Sequence, residues 1–360
     1  MICRPLTTAS RGWSLLRQRW QALQKPGHGQ TSEQPVFWFA PDVNDCRLLA
    51  DIGGTNARFA WQMASRSDLL DIASYPCADH ASLQAVIEHY LRLHKLTKPV
   101  HCAIGIANPV VGDHVQMTNR HWAFSITELQ TALGLERLLV LNDFTALALS
   151  LPFLSRSDLH QVGSGEAVRN ETIGLIGPGT GLGVSGLLLS ADQRWVPIRG
   201  EGGHVSLTAS NSLELEVLGW LTKSFGHASA ERALSGPGLV NLFDALCAIH
   251  GREAPSIQST AIVKQACADP DGICAQTVAL FCGFLGSVAG DLALTLGARG
   301  GIYLGGGILP KMLGLLDSSS FRKRFTAKGR FSSYLDAIPT LVLNSTVPAA
   351  LLGAAAALDG

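Results

Sequence analysis

The sequence predicts an α/β protein with two similar lobes. Segments 48–61 and 172–189 each have the pattern of a strand, a glycine-rich tip with one threonine, and a second strand. Elsewhere, short apolar runs of strand length alternate with segments of helical periodicity. Two hairpins of one type, in a chain long enough for two domains, predict one lobe around each hairpin.

The tip of the first hairpin carries residue types that hold phosphate. Gly53 and Gly54 let backbone N–H groups approach an anion without an interfering Cβ. Thr55 and Asn56 add side-chain donors. Asp51, at the end of the first strand, is placed to hold a hydrated Mg²⁺ against the same phosphates. Considered alone, the stretch is explained equally well by a tight turn that Asp51 caps.

The second hairpin shifts that balance toward nucleotide binding. Its tip, Gly179-Thr180-Gly181, again places one threonine among glycines between two apolar runs. Two such tips in one chain favour phosphate binding over two unrelated turns.

Composition limits the classes of partner. The 360 residues are 47% hydrophobic and 16% charged, as in folded proteins with large cores. The formal net charge of +0 argues against a nucleic-acid partner, because binding a phosphate backbone needs a basic surplus. Neither of the two longest apolar segments is suited to span a membrane: the run over 348–358 is too short, and Asp291 interrupts the segment that contains it. We therefore expect a soluble protein without a membrane partner.

The 8 cysteines are scattered through apolar sequence. They form no C-x-x-C pair and have no histidines at zinc spacing, so we expect free thiols in a reducing compartment.

Residues 1–45 differ from the rest of the chain. Their charges before Glu33 are all basic, and Trp13, Leu16 and Trp20 fall at helical spacing. A basic amphipathic helix and an organelle transit peptide both fit this composition. We favour a poorly ordered extension that ends in a polar linker over 24–41.

A carboxylate follows a buried strand in the first half of the chain. The strand over 138–141 delivers Asn142 and Asp143 at its carboxyl end, directly before a helix. In α/β proteins this position faces a cleft, where Asp143 can accept a proton from a substrate hydroxyl. The alternative is an N-cap for the following helix, and on this segment alone the cap is favoured.

Two later segments expose polar side chains among glycines. Glu201 and His204 share a glycine-rich loop suited to a ligand with many hydroxyl groups, although a polar loop residue is the default explanation for His204. Glu231 lies on a short helical turn ahead of a helix that opens at Ser235.

In the last quarter of the chain, the pattern predicts a long helix over 274–296 and a strand over 301–304. Gly305-Gly306-Gly307 follows that strand and would allow an adenine ring to lie on the backbone, or would simply make a turn. Segment 349–358 predicts a small apolar helix that packs back on the protein.

Taken together, the motifs resemble bacterial-type glucokinase in order and approximate spacing. The resemblance covers nearly everything from Cys46 onward and rests on Asp51–Arg58, Leu141–Ala146, Gly177–Gly183, Gly200–His204, Ser229–Gly238 and Gly305–Gly307. Asn119–Ser125 resembles a further segment of that family.

The resemblance implies the two-lobed actin-like ATPase (ribonuclease H-like) fold, with nucleotide and sugar in the cleft between the lobes. The small lobe would take 46–150 and the C-terminal helix 345–360, and the large lobe 151–344. The family uses ATP with Mg²⁺ to phosphorylate the C6 hydroxyl of glucose, the first step of glycolysis.

Residue roles follow from the same resemblance. Asp143 resembles the catalytic base, and an ordinary aspartate pKa of about 3.9 would leave it ionised. The implied sugar ligands are Asn142, Asp143, Glu201, His204 and Glu231. The residues implied for ATP are Asp51 (also for Mg²⁺, through water), Gly53, Gly54, Thr55, Asn56, Gly179, Thr180, Gly181, Gly305 and Gly306.

Alternatives remain within and outside this family. A kinase for another hexose is the nearest, although the cysteine-rich zinc motif of many such kinases is missing. A non-catalytic sugar sensor or repressor would carry a helix-turn-helix segment, and an actin-like assembling ATPase would lack the Glu201, His204 and Glu231 cluster. A dehydrogenase is rejected, because the one G-x-G-x-x-G match runs into a strand. We further expect a cytoplasmic homodimer.

Overall fold

The computed structural model describes residues 46–63, 66–117, 122–344 and 348–359. The predicted N-terminal extension over 1–45, residues 119–121 of the further family-like segment, and 345–347 of the C-terminal segment lie outside the described residues.

The described strands form two large sheets and one small one. The orders are β3-β2-β1-β4-β7, β11-β10-β9-β12-β13-β8, and β5-β6. The strands are β1 (Cys46–Ile52), β2 (Asn56–Met63), β3 (Leu70–Pro76), β4 (His101–Ile106), β5 (His114–Gln116), β6 (Ala123–Ser125), β7 (Arg137–Asn142), β8 (Leu159–Val162), β9 (Ile173–Pro178), β10 (Leu182–Leu189), β11 (Trp195–Gly200), β12 (Ile302–Leu304) and β13 (Thr340–Leu343).

Helices cover the faces of both large sheets. They are α1 (Leu83–Leu93), α2 (Ile126–Leu133), α3 (Asp143–Ser150), α4 (Ser212–Phe225), α5 (Ala230–Ala233), α6 (Gly236–Ile249), α7 (Ser259–Ala268), α8 (Ile273–Leu296), α9 (Leu313–Ser318), α10 (Phe321–Thr326), α11 (Ser332–Asp336) and α12 (Ala349–Asp359). The predicted long helix, the helix that opens after Ser235 and the C-terminal helix are confirmed within a residue or two.

The central strand β1 of the five-stranded sheet is buried on both of its faces. Leu48 and Ile52 of β1 join a core with α1 and α2. Leu49, which points to the opposite face, joins a second core with α12. The predicted return of the C-terminal helix onto the protein is therefore confirmed.

The inner strand β9 of the six-stranded sheet is also buried on both of its faces. Ile176 of β9 lies in a large core with α6 and α8, whereas its neighbour Leu175 lies in a core with α3. The helices α3 and α12 thus occupy the layer between the two sheets. At their crossing, a Cβ at Gly353 would overlap the carbonyl group of Ala146, so only glycine permits this approach.

The helix α8 is long and apolar enough to cross a membrane by length and composition alone. However, 72% of its most apolar window is buried inside the protein. Phe281 and Phe284 lie at the centre of the core beside the six-stranded sheet. This burial is that of a core helix.

The predicted free thiols are confirmed at five cysteines of the described residues. Cys102, Cys247, Cys274 and Cys282 are buried free thiols, and Cys267 is an exposed one.

Candidate active site

Parallel pairing brings the first glycine-rich hairpin and the Asn142-Asp143 pair to one sheet edge. The strands β1, β4 and β7 run parallel, and Ile52, Ile106 and Asn142 are register partners at their carboxyl ends. Gly105 of β4 pairs with Asp51, and a Cβ there would lie 3.7 Å from the Cα of Asp143. The small residue between them lets the two carboxylates share one edge.

The predicted β1–β2 hairpin is confirmed, and its tip is closed by the Gly53 N–H, which donates to the carbonyl oxygen of Asn56 at 2.9 Å. Thr55 and Asn56 are exposed at the tip. Cys77 makes two contacts to the tip. Its N–H donates to the Thr55 carbonyl at 2.8 Å, and its thiol contacts the Gly53 carbonyl at 3.6 Å. The tip is thus held by the residue that directly follows β3 of the same sheet.

Asp51 is the acidic residue of this hairpin. Its Oδ2 pairs with Nη1 of the half-exposed Arg58 across the hairpin at 3.1 Å. Burial raises the pKa of Asp51, and the charge and hydrogen bond of Arg58 only partly oppose that rise. The alternative role as a turn cap does not account for Asp51, whose partner is Arg58.

Asn142 is the N-cap of α3, as the structural alternative predicted. Its Oδ1 accepts hydrogen bonds from the N–H groups of Phe144 and Thr145 at 3.0 and 3.2 Å. Its Nδ2 donates to Oδ1 of Asp143 at 3.0 Å, so the cap also orients the neighbouring carboxylate.

Asp143 has one oxygen fixed and an unusual pKa. Oδ1 accepts from both Asn142 Nδ2 and the Phe144 N–H, the latter at 2.9 Å. Burial, with a smaller contribution from the nearby charge of Asp51, raises the pKa of Asp143 to about 6 despite these hydrogen bonds. The expectation of an ordinary pKa was therefore wrong, because the sequence does not display burial. Asp143 is still mostly ionised at neutral pH.

The predicted β9–β10 hairpin is also confirmed. The Gly179 N–H donates to the Gly181 carbonyl at 2.8 Å, which leaves Thr180 exposed at the tip. The first residue of α6, Gly236, donates its N–H to the Gly179 carbonyl at 2.8 Å. The start of α6 therefore supports this tip directly.

Two of the predicted sugar-binding segments meet at Leu182, beside the second tip. Oε2 of Glu231 accepts the Leu182 N–H at 2.8 Å, and a Cβ at Gly181 would lie 2.5 Å from the same oxygen. The loop that carries Glu201 and His204 packs on the other side, where a Cβ at Gly203 would overlap the Leu182 carbonyl. Glu201 and His204 themselves are exposed.

Gly305 and Gly306 are held against the second hairpin. A Cβ at Gly177 would lie 2.7 Å from the carbonyl carbon of Gly305, and Gly306, with φ of +83°, approaches the Pro178 carbonyl. The next glycine, Gly307, has open space where a Cβ would stand. These glycines therefore let the 305–306 loop pack closely against the backbone of the second hairpin.

Sequence reasoning did not identify Phe144. Its ring covers Gly177 and Gly183, which are cross-strand partners in β9 and β10. The sequence does carry a signal, since two glycines placed opposite each other in a hairpin leave a gap that an aromatic ring can fill.

Within 46–63, 66–117, 122–344 and 348–359, no three His, Cys, Asp or Glu side chains are grouped to hold a metal ion. Asp51, at the first tip, is the carboxylate that suits Mg²⁺ arriving with nucleotide phosphates, because Mg²⁺ keeps several water ligands and needs few from the protein.

This geometry coincides with clear relationships to known proteins. A family model described as Glucokinase matches residues 48–360. The chain is 52% identical to a glucokinase of Aromatoleum aromaticum, over 87% of this chain and 94% of that protein. The chain belongs to the glucokinase family. It is also 46% identical to a bifunctional protein glk of Paraburkholderia xenovorans, over 94% of this chain and 51% of that protein.

Solved structures of glucokinases share the fold. A glucokinase from an Antarctic psychrotroph aligns with a TM-score of 0.79 and 38% identity, over 87% of this chain and 98% of that one. A ROK family glucokinase from Streptomyces griseus, in complex with glucose and AMPPNP, aligns with a TM-score of 0.57 at 18% identity over 86% and 98% of the two chains. The fold is the two-lobed actin-like ATPase fold of these kinases, as expected.

Proposed function

We propose that this glucokinase-family chain transfers the γ-phosphoryl group of ATP to the C6 hydroxyl of glucose, giving glucose 6-phosphate and ADP. The observation that carries the proposal is the half-buried carboxylate of Asp143, which lies at the edge of the first hairpin and is hydrogen-bonded to a residue that packs on the second. Relatives named glucokinase at 47% and 52% identity support glucose as the acceptor.

Asp143 is proposed as the base. Two N–H donors occupy its Oδ1, so Oδ2 is the oxygen that takes the proton of the sugar hydroxyl as that hydroxyl attacks. Its pKa of about 6 lies closer to neutral pH than that of an exposed aspartate, which makes Asp143 a stronger base while leaving it mostly ionised.

The sugar is proposed to bind between α3 and the glycine-rich loop before α4. Asn142 keeps one N–H of its amide for a hydroxyl, since Nδ2 makes only one donation among the residues that the structure describes. Glu231 gives Oε2 to Leu182 and offers Oε1 to the sugar. Glu201 and His204, exposed on their loop, complete the proposed set.

The two tips are proposed to hold the phosphates of ATP. Gly53, Gly54, Thr55 and Asn56 would act from one side, and Gly179, Thr180 and Gly181 from the other, with Gly305 and Gly306 near the adenosine. Bound Mg²⁺ would neutralise phosphate charge, and Asp51 would hold its water ligands. The protein's part is alignment of donor and acceptor.

We also propose a cytoplasmic homodimer that has neither a nucleic-acid nor a membrane partner. The buried free thiols support a reducing compartment. Sedimentation of the purified protein at several concentrations would test the dimer.

The deciding experiment is ATP consumption with glucose, mannose, fructose, glucosamine and N-acetylglucosamine, each coupled to detection of the sugar phosphate. We expect rapid turnover with glucose and formation of glucose 6-phosphate. The matched control is Asp143→Asn, which keeps the shape of the side chain and removes its basicity. Hydrolysis of ATP without sugar, or sugar binding without turnover, would contradict the proposal.

A further inference from the structure

A cross-strand glycine pair lies in the second hairpin. Gly177 of β9 and Gly183 of β10 are register partners, so both lack a side chain on the same face of the sheet. Such a pair is unfavourable for strand stability and leaves a gap above the backbone. A gap of this kind implies that something else lies against the strands.

The ring of Phe144 fills that gap. A Cβ at Gly183 would overlap three carbons of the ring, and a Cβ at Gly177 would lie 2.7 Å from Cζ. The third neighbour, Gly305, would place a Cβ 3.9 Å from Cε1. The ring therefore lies directly on backbone that belongs to the second tip and to the proposed adenosine loop.

The backbone of Phe144 holds the proposed base. Its N–H donates to Oδ1 of Asp143 at 2.9 Å and to Oδ1 of Asn142 at 3.0 Å. One residue thus contacts the reacting carboxylate through its N–H and the opposite hairpin through its ring. Displacement of the ring would rotate the first turn of α3 and carry Asp143 with it.

We propose that Phe144 is a positioning residue that fixes the carboxylate of Asp143 relative to the second phosphate hairpin, with Gly177 and Gly183 kept small to receive its ring. The proposal rests on the proposed function, since it assigns Asp143 the role of base. It adds a fixed link between the base and the backbone that aligns the phosphoryl donor.

A double-mutant cycle tests the contact. Gly183→Ala should displace the ring and lower kcat about tenfold or more, because small misplacements of reacting groups are expensive, while the KM for glucose changes little. In a Phe144→Ala background the new methyl group has room, and Gly183→Ala should then change kcat less than about twofold. Equal losses in the two backgrounds would overturn the proposal.

Gly177→Ala is the matched control. It adds the same methyl group to the partner strand, but that group would also lie 2.7 Å from the carbonyl carbon of Gly305. Removing the ring does not remove the clash with the Gly305 backbone, so Phe144→Ala should not restore the activity of this variant. Restoration of both variants alike would mean that the cycle reports general loosening, which contradicts the proposal.

Phe144→Leu separates positioning from simple packing. Leucine keeps an apolar side chain, so the protein should fold, but it covers less of the glycine pair and holds the first turn of α3 less firmly. We expect the hydrogen bond from the Phe144 N–H to Oδ1 of Asp143 to weaken, which raises the pKa of Asp143 and moves the acidic limb of the kcat/KM profile to higher pH. A lower Tm with an unchanged acidic limb would reduce Phe144 to a structural role.

A readout without catalysis distinguishes the two proposals. The carboxyl ¹³C shift of Asp143, identified as the signal lost in Asp143→Asn, can be titrated in the free protein. A titration that moves in Phe144→Leu while the wild type fails to phosphorylate glucose would reject the proposed function and keep the positioning link. Turnover in the wild type with an unmoved titration would reject the link alone.

Discussion

The two glycine-rich hairpins have the same local design but different supports. Each exposes a threonine at a tip that one backbone hydrogen bond closes. The first tip is held by its own sheet and the turn directly after β3, through the backbone and thiol of Cys77 and the pairing of Asp51 with Arg58. The second is held by residues from three other elements, Phe144, Glu231 and Gly236.

This difference assigns different tasks to hairpins of one type. The second tip shares its supports with the proposed base and with a proposed sugar ligand, so its position depends on the acceptor side of the reaction. The first tip is coupled to the base mainly through the charge of Asp51. We infer that the first tip follows the nucleotide, whereas the second aligns nucleotide with sugar.

The largest effect is expected at the carboxylate between the hairpins. Asp143→Asn should leave the KM for glucose and for ATP within a few-fold of wild type and lower kcat by about 10²–10⁴, the usual contribution of a positioned base. Steady-state kinetics with both substrates measures this. Turnover near the wild-type level would exclude Asp143 as the base. The second hairpin would then have no link to the base through Phe144.

The same substitution should stabilise the protein at neutral pH. The folded-state pKa of Asp143 is about 6 and its model value is 3.8, so ionisation disfavours folding increasingly as pH rises through that window. Asp143→Asn should gain at most about 3 kcal/mol at pH 7, and the gain should vanish below about pH 4. Chemical denaturation at pH 4 and pH 8 measures both values.

Asp51→Asn at the first hairpin is the control for that measurement. Its pKa is also raised by burial, but Arg58 offsets part of the rise, and asparagine would lose that ion pair. We therefore expect a smaller gain than at Asp143. A larger gain in stability at Asp51 would mean that ionisation of Asp51 costs more folding free energy than ionisation of Asp143, contrary to this expectation.

The supports of the second tip should couple the two substrates. Glu231→Ala removes the acceptor of the Leu182 N–H and a sugar ligand together, at about 1–3 kcal/mol, so KM should rise for both ATP and glucose. Glu201→Ala, on an exposed part of the sugar loop, should raise the KM for glucose alone. If Glu231→Ala left the KM for ATP unchanged, the second hairpin would not be linked to the sugar.

The smallest effect is expected beneath the first tip. Cys77→Ala removes a weak thiol contact to the Gly53 carbonyl but keeps the backbone hydrogen bond to Thr55. The KM for ATP should rise by about twofold or less and the KM for glucose should not change. A change in the KM for glucose would contradict the independence of the first hairpin.

The features that the sequence predicted are local ones. Glycines beside Thr55 and Thr180 mark both hairpin tips, and the apolar run before Asn142 marks the strand end that carries Asp143. The polar types at Glu201 and His204 favour a hydroxyl-rich ligand, whereas Glu231 is implied as a sugar ligand only by the family resemblance. The lobe boundaries and the residue roles stay predictions.

The features that it missed depend on contacts between distant segments. The ring of Phe144 reaches a glycine pair more than thirty residues away, which only the register of β9 and β10 places together. The bond between Glu231 and the Leu182 N–H likewise needs the folded arrangement of α5 and β10. The pKa of Asp143 could not be predicted, because burial arises from packing between elements.

The position of α12 has a consequence for synthesis of the protein. Leu351 and Ala354 cover one face of the first sheet, over Leu49, Ala60 and Ala103, from the far end of the chain. At about 5–20 residues per second, a ribosome needs roughly 15–60 s to make the chain between these segments. One apolar face of the five-stranded sheet therefore stays uncovered by α12 during most of translation.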